Sequence, residues 1–214
     1  MSQNAEKQRE MAIKWLEEIL ADMTKFIKVL DNDYQFSRQV LSKNPADNLA
    51  NQMLRRTAIR NFCALVEGQI HAWKWTTLSF FDAFAVNLDA AEIAMLKEES
   101  YDLDNSGKTV TKCQNLSVSK NFKFGCKMYF QVFECSYVVN FRSEGWACVL
   151  KTFDVRNRLM HPKQSKGIEV SDSELQDLQR ANDWLREVRL GLVESCDFEK
   201  VQEKIKLKKS LELN

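Results

Sequence analysis

Apolar side chains recur at helical spacing along most of the chain. Between Asn4 and Leu30 they fall at Met11, Trp15, Ile19, Met23, Phe26 and Ile27, which marks an amphipathic helix. A short helical segment around Phe36, Val40 and Leu41 follows, and Asn44-Pro45 breaks it. A long helix is expected from about Ala46 to Val86, with Leu54, Ile59, Phe62, Val66, Ile70, Trp73 and Leu78 on its buried side. Asp89 opens a third helix, with Glu92 three residues on to complete a capping box. That pattern fades by Ser100. The stretch "YDLDNSGKTVTKC" is different: Asn105, Ser106 and Gly107 are turn residues, and "KTVTK" has the β-branched character of a strand. Residues 101–118 therefore read as an inserted surface loop with a small hairpin. Helical periodicity returns over Ser119–Val132 and again from a capping Ser143 to His161. Ser171 and Glu174 repeat the capping box ahead of Leu175, Leu178, Leu185, Val188 and Leu192. The charged tail, 196–214, is a final helix or a frayed end; its "IKLKK" reads as a solvated face. Five or more helices with short connections predict an all-α, antiparallel helical bundle, one domain over 1–214 with one inserted loop.

Composition narrows the picture. With 214 residues the chain suits one large domain, and 44% hydrophobic with 29% charged residues is globular rather than disordered. Only 6 glycines and 2 prolines interrupt it, which favours long helices. A formal net charge of +1 gives no global attraction to nucleic acid or membrane, so any basic site is local. No apolar run reaches membrane-spanning length; "TTLSFFDAFAV" is short and holds Asp82. The N-terminal segment is charged and lacks the apolar core of a signal peptide, so a cytoplasmic protein is expected. The 6 cysteines form no C-x-x-C pair and only 2 histidines accompany them. Reduced thiols, no zinc site and no cofactor are the expectation.

One stripe breaks its own rule. From Ser143 the apolar positions are Trp146, Val149, Leu150 and Phe153. The next members are Arg156, Asn157 and Met160, so a guanidinium and an amide stand where the period asks for core. His161 shares a face with Asn157 at i+4. It lies five residues after Arg156, about 140° away on an ideal helix. Pro162 follows, and the residue before a proline avoids the α region, so the helix is expected to end at His161. Two readings fit. In one, His161 caps a helix C-terminus and Arg156 pairs with a buried carboxylate such as Glu67. In the other, polar groups on a buried stripe are there to be used, since burying them is otherwise costly. On this second reading Arg156 and His161 line a cleft. His71 has no arginine at the corresponding spacing and reads as structural.

The segment "DVRNRLMHP" resembles the signature of the HEPN superfamily: an arginine, a polar residue after it, and a histidine four to six residues on. Here these are Arg156, Asn157 and His161. A wider stretch, "RRTAIRNFCALVEGQIHAWKW" with "GWACVLKTFDVRNRLMHPK" and "EVSDSEL", resembles a group of bacterial HEPN-type proteins of unassigned function over most of residues 46–190. The resemblance implies an all-helical, commonly dimeric fold. It also implies metal-independent ribonuclease activity in toxin–antitoxin or phage-defence settings, with an antitoxin or other defence protein as a possible partner. Some superfamily toxins carry a modifiable tyrosine two residues after the histidine; here Lys163 stands there, which argues against that mode of control.

The residue types suit the chemistry. RNA cleavage by its own 2′-hydroxyl needs a base, an acid and positive charge on the phosphate. Histidine serves as base or acid near neutrality. Arginine's fork fits phosphate oxygens, and Asn157 can orient either. One chain offers one such histidine, so a homodimer that joins two motif helices supplies both acid and base. Arg158, Lys163 and Lys166 form a basic strip suited to RNA phosphates, or a solvated loop. Arg55, Arg56 and Arg60 share the long helix with Glu67; they read as a salt-bridged helix or as a phosphate-binding face with Glu67 behind Arg156. Trp73, Trp75 and Trp146 read as core aromatics.

Overall fold

A computed structural model describes residues 3–43, 49–84 and 87–196. The fold is all-α, as expected, with six α-helices and one hairpin among the described residues: α1 (Gln3–Ser42), α2 (Leu49–Phe84), α3 (Ala90–Leu96), β1 (Glu99–Leu103), β2 (Thr109–Cys113), α4 (Val118–Phe133), α5 (Glu144–Met160) and α6 (Asp172–Ser195). A 3₁₀ turn, Ser165–Ile168, lies between the last two helices. The Asn44-Pro45 break, both expected ends of the second helix and the tail after Cys196 lie outside the described residues. No helix among the described residues is long and apolar enough to cross a membrane.

Two expected segments are fused in α1. The polar run Asp31-Asn32-Asp33 contains no helix breaker, and the inward face continues through Ile27, Tyr34 and Ser37. Tyr34 is fully buried, whereas Phe36 is 67% exposed. Met11, Trp15 and Phe26 are also exposed, although they share the apolar spacing.

The chain forms two compact units. Of the described residues, the first takes those before 25, those from 70 to 135 and Cys196; the second takes those from 25 to 69 and from 136 to 195.

In the first unit, Trp73 packs edge-on against Phe122 at 5.1 Å, and Phe80 against Phe133 at 4.9 Å. Asp89 caps α3 in the expected capping box with Glu92. That helix stops at Leu96, earlier than its pattern suggests, because Glu98 turns into the left-handed region (φ 57°) and the chain becomes β1. The Lys74 ammonium, 2.8 Å from the Glu98 carboxylate, and the Asn121 amide, 3.1 Å away, hold the turn. Burial raises the Glu98 carboxyl, but these bonds outweigh it and keep it below the usual range. The hairpin pairs Glu99 with Cys113 and Leu103 with Thr109. Its tip is tied by the Asp104 carboxylate, which accepts from the Ser106 and Lys108 amides, and Gly107 supplies φ 80°. Trp75, by contrast with Trp73, is 47% exposed and stacks on exposed His71 rather than entering the core.

In the second unit, Ile59, Phe62, Leu65 and Val66 of α2 are buried, as are Tyr34, Val149, Val170, Leu178 and Leu185, and the Tyr34 and Phe62 rings lie 5.5 Å apart. α5 packs along α6. Trp146 and Trp184 sit 5.1 Å apart there, and the approach needs a glycine: a Cβ on Gly145 would lie 2.5 Å from the Trp184 Cβ. Ser171 and Glu174 cap α6 reciprocally, as their spacing predicts.

Candidate functional site

The motif lies at the C-terminal end of α5, wholly within the second unit. Ser143 caps the helix start, its hydroxyl accepting from the Trp146 amide at 3.3 Å. The helix ends at Met160. His161 is the C-cap (φ −129°, ψ 60°), and its amide donates to the Asn157 carbonyl at 3.1 Å. Pro162 stops the helix where its position requires.

The last turn corrects one expectation. Cys148, Thr152, Val155 and Leu159 form a buried row that runs to the helix end. The row of Trp146, Val149 and Phe153 runs out of cover at Phe153. Its continuation faces outward: Asn157 and His161 are exposed, Met160 is 54% exposed, and Arg156 is half-buried. The polar residues therefore do not sit on a buried stripe of this chain. The period gave their face correctly, but the neighbouring elements cover only the other flank. Nor do Arg156, Asn157 and His161 line the neighbouring cleft of about 630 Å³, whose walls include Arg55, Arg158 and Lys166.

Arg156 has several partners. Its guanidinium forms an ion pair with Glu67 on α2. Its Nη1 donates to the Asn157 side-chain carbonyl at 3.1 Å. The guanidinium carbon also lies 5.4 Å from the Phe153 ring centroid, within cation–π reach. The Glu67 side chain is 47% exposed, so the carboxylate is not the buried partner imagined from sequence. An ion pair this open to solvent adds about 0–1 kcal/mol. Beneath them lies Cys63, whose thiol is pushed up to about 12, chiefly by burial. It holds no thiolate near neutrality and offers no nucleophile.

The expected basic strip divides. Arg158 donates to the carbonyls of Gly167 (3.0 Å) and Glu169 (2.9 Å) and pairs with Glu174 at 2.6 Å. Arg56 donates to the Ile168 carbonyl at 3.3 Å. Arg55 donates to the Val170 carbonyl at 2.9 Å and pairs with Asp172 at 2.7 Å. These three arginines fasten the segment after the motif. Gln52 completes the latch, accepting from the Val170 amide at 2.9 Å and donating to its carbonyl at 3.2 Å. Sequence reasoning missed Gln52, since no local pattern links residues so far apart. Lys163, Lys166 and Arg60 are exposed.

The site thus presents an imidazole, an amide and a guanidinium at one helix end, the last paired with a carboxylate. Among the described residues no three His, Cys, Asp or Glu side chains gather to hold a metal ion. No protein-family model, no curated protein and no solved structure matches this chain.

Proposed function

We propose that the protein is a metal-independent endoribonuclease acting as a homodimer, in keeping with its resemblance to the HEPN superfamily. The observation that carries this reading is the outward-facing last turn of α5. Asn157, Met160 and His161 stand outside the core, next to an arginine whose counter-ion is half-exposed. In the proposed reaction, one His161 takes the proton of a ribose 2′-hydroxyl, which attacks the adjacent phosphorus. Arg156 leaves Glu67 for the phosphate oxygens and offsets the charge that builds there. His161 of the second copy protonates the departing 5′-oxygen. The products are a 2′,3′-cyclic phosphate and a 5′-hydroxyl. Asn157 accepts from Arg156 and so positions the guanidinium. Lys163, Lys166 and Arg60 add phosphate contacts, while Arg158 and Arg56 act through the loop they fasten. An exposed methionine among these polar groups suits contact with a second copy. The setting the resemblance suggests is a cytoplasmic toxin or phage-defence system, with an antitoxin as restraining partner.

A second reading has one observation in its favour. Glu67 neutralises Arg156 in the isolated chain, which suits a non-catalytic helical interaction or RNA-binding module that keeps the scaffold alone. Subunit mixing separates the two. Sedimentation should give a dimer, and adding His161→Ala subunits to wild type should lower RNA cleavage below the value set by dilution. A monomer with full activity rules out the composite site, and a dimer that cleaves no RNA favours the module.

A further inference from the structure

Cys135 and Cys196 meet where the chain leaves the first unit and where it returns. Cys135 follows the left-handed cap Glu134 at the end of α4, and its amide donates to the Phe130 carbonyl at 3.1 Å. Cys196 directly follows Ser195, the last residue of α6. The flanking residues are tied as well, the Ser136 amide donating to the Ser195 carbonyl at 3.4 Å. Both cysteine side chains are half-buried and pack on one cluster, Phe80, Val132 and Phe133. The Cys135 thiol hydrogen-bonds Cys196. The two cysteines therefore share one half-buried patch of the first unit.

We propose that Cys135 and Cys196 are a redox modification site, a thiol pair that a hydroperoxide converts to an intrachain disulfide. The Cys196 thiolate attacks the peroxide oxygen, giving a sulfenic acid and releasing an alcohol, or water from hydrogen peroxide itself. The Cys135 sulfur then attacks the Cys196 sulfur, its thiol proton leaving with the expelled hydroxide as water. Two thiols are oxidised by two electrons and the peroxide O–O bond is reduced. The hydrogen bond from Cys135 holds the Cys196 thiol below its ordinary range, which assigns the attacking role to Cys196. The other cysteines lack this arrangement. Burial pushes Cys63 and Cys126 up to about 12. Burial and the Asp177 carboxylate raise Cys148. Cys113 is exposed on β2. The new bond closes the segment 136–195, which carries α5, its motif and α6, into a covalent loop and so restrains its unfolded state.

The test oxidises the full-length protein with hydrogen peroxide, blocks remaining thiols with N-ethylmaleimide and digests without reductant. Mass spectrometry should find one linked peptide pair, Cys135 to Cys196 of the same chain. It should weigh two hydrogens less than the sum of its parts and separate in dithiothreitol. In Cys135→Ser, which removes the resolving thiol, dimedone should label Cys196. Recovery of Cys135 and Cys196 as separate alkylated or over-oxidised peptides, while Cys113 is oxidised, overturns the proposal. So does a link found only between different chains.

Discussion

Replacing His161 with alanine is expected to reduce RNA cleavage by about 10²–10⁴-fold, the usual weight of one acid–base group, and to leave the helical circular-dichroism signal unchanged. The side chain lies outside the core, at the helix C-cap. Only the His161 backbone amide takes part in the cap, and alanine keeps that bond. In the proposed composite site each copy would supply His161, so a homodimeric variant would lose base and acid together, which puts the expected loss toward the upper end of the range. Asn157→Ala should be milder, since it removes one bond to Arg156 and no reacting group. A His161→Ala protein that cleaves at the wild-type rate removes histidine from the chemistry.

Replacing Arg156 is the second large effect. Arg156→Ala should lower cleavage by about 10²–10³-fold, the cost of losing one donor to developing negative charge. Arg156→Lys should recover part of it, because an ammonium keeps the charge and loses the fork. Folding stability should change by about 1 kcal/mol or less, since the guanidinium's ion pair is open to solvent. Glu67 supplies the control. If the carboxylate only holds Arg156 until phosphate arrives, Glu67→Gln should cleave at least as fast as wild type and bind RNA more tightly at low salt. A loss from Glu67→Gln as deep as that from Arg156→Ala would instead place the carboxylate in proton transfer. Denaturant unfolding and single-turnover rates on the same preparations separate these outcomes.

The features legible from sequence are those with local causes. Asp89 with Glu92, Ser171 with Glu174, Ser143 at its helix start and Pro162 at its stop each act within a few residues. The hairpin tip at Asn105–Gly107 is of the same kind. Burial decided by distant elements was harder to read. Nothing near Asp31-Asn32-Asp33 shows that Tyr34 is buried and α1 continues. The break in the α5 stripe was visible, but period alone does not tell which flank of a wide apolar face runs out of cover. Val155 and Leu159 kept their cover, and Asn157 and Met160 did not. The basic residues divide for the same reason. The carbonyls that occupy Arg158 belong to the segment beyond Pro162, and the latch of Gln52 on Val170 joins residues 118 apart in the chain.

In the proposed mechanism, side chains alone carry RNA cleavage at the end of α5. The measurement that meets it most directly is end-group analysis of a labelled single-stranded RNA, incubated with the wild-type protein in excess chelator. The expected result is metal-independent shortening, each upstream fragment ending in a 2′,3′-cyclic phosphate and each downstream fragment beginning with a 5′-hydroxyl. Cleavage that strictly requires a divalent cation, or fragments that carry 5′-phosphates and 3′-hydroxyls, would contradict it.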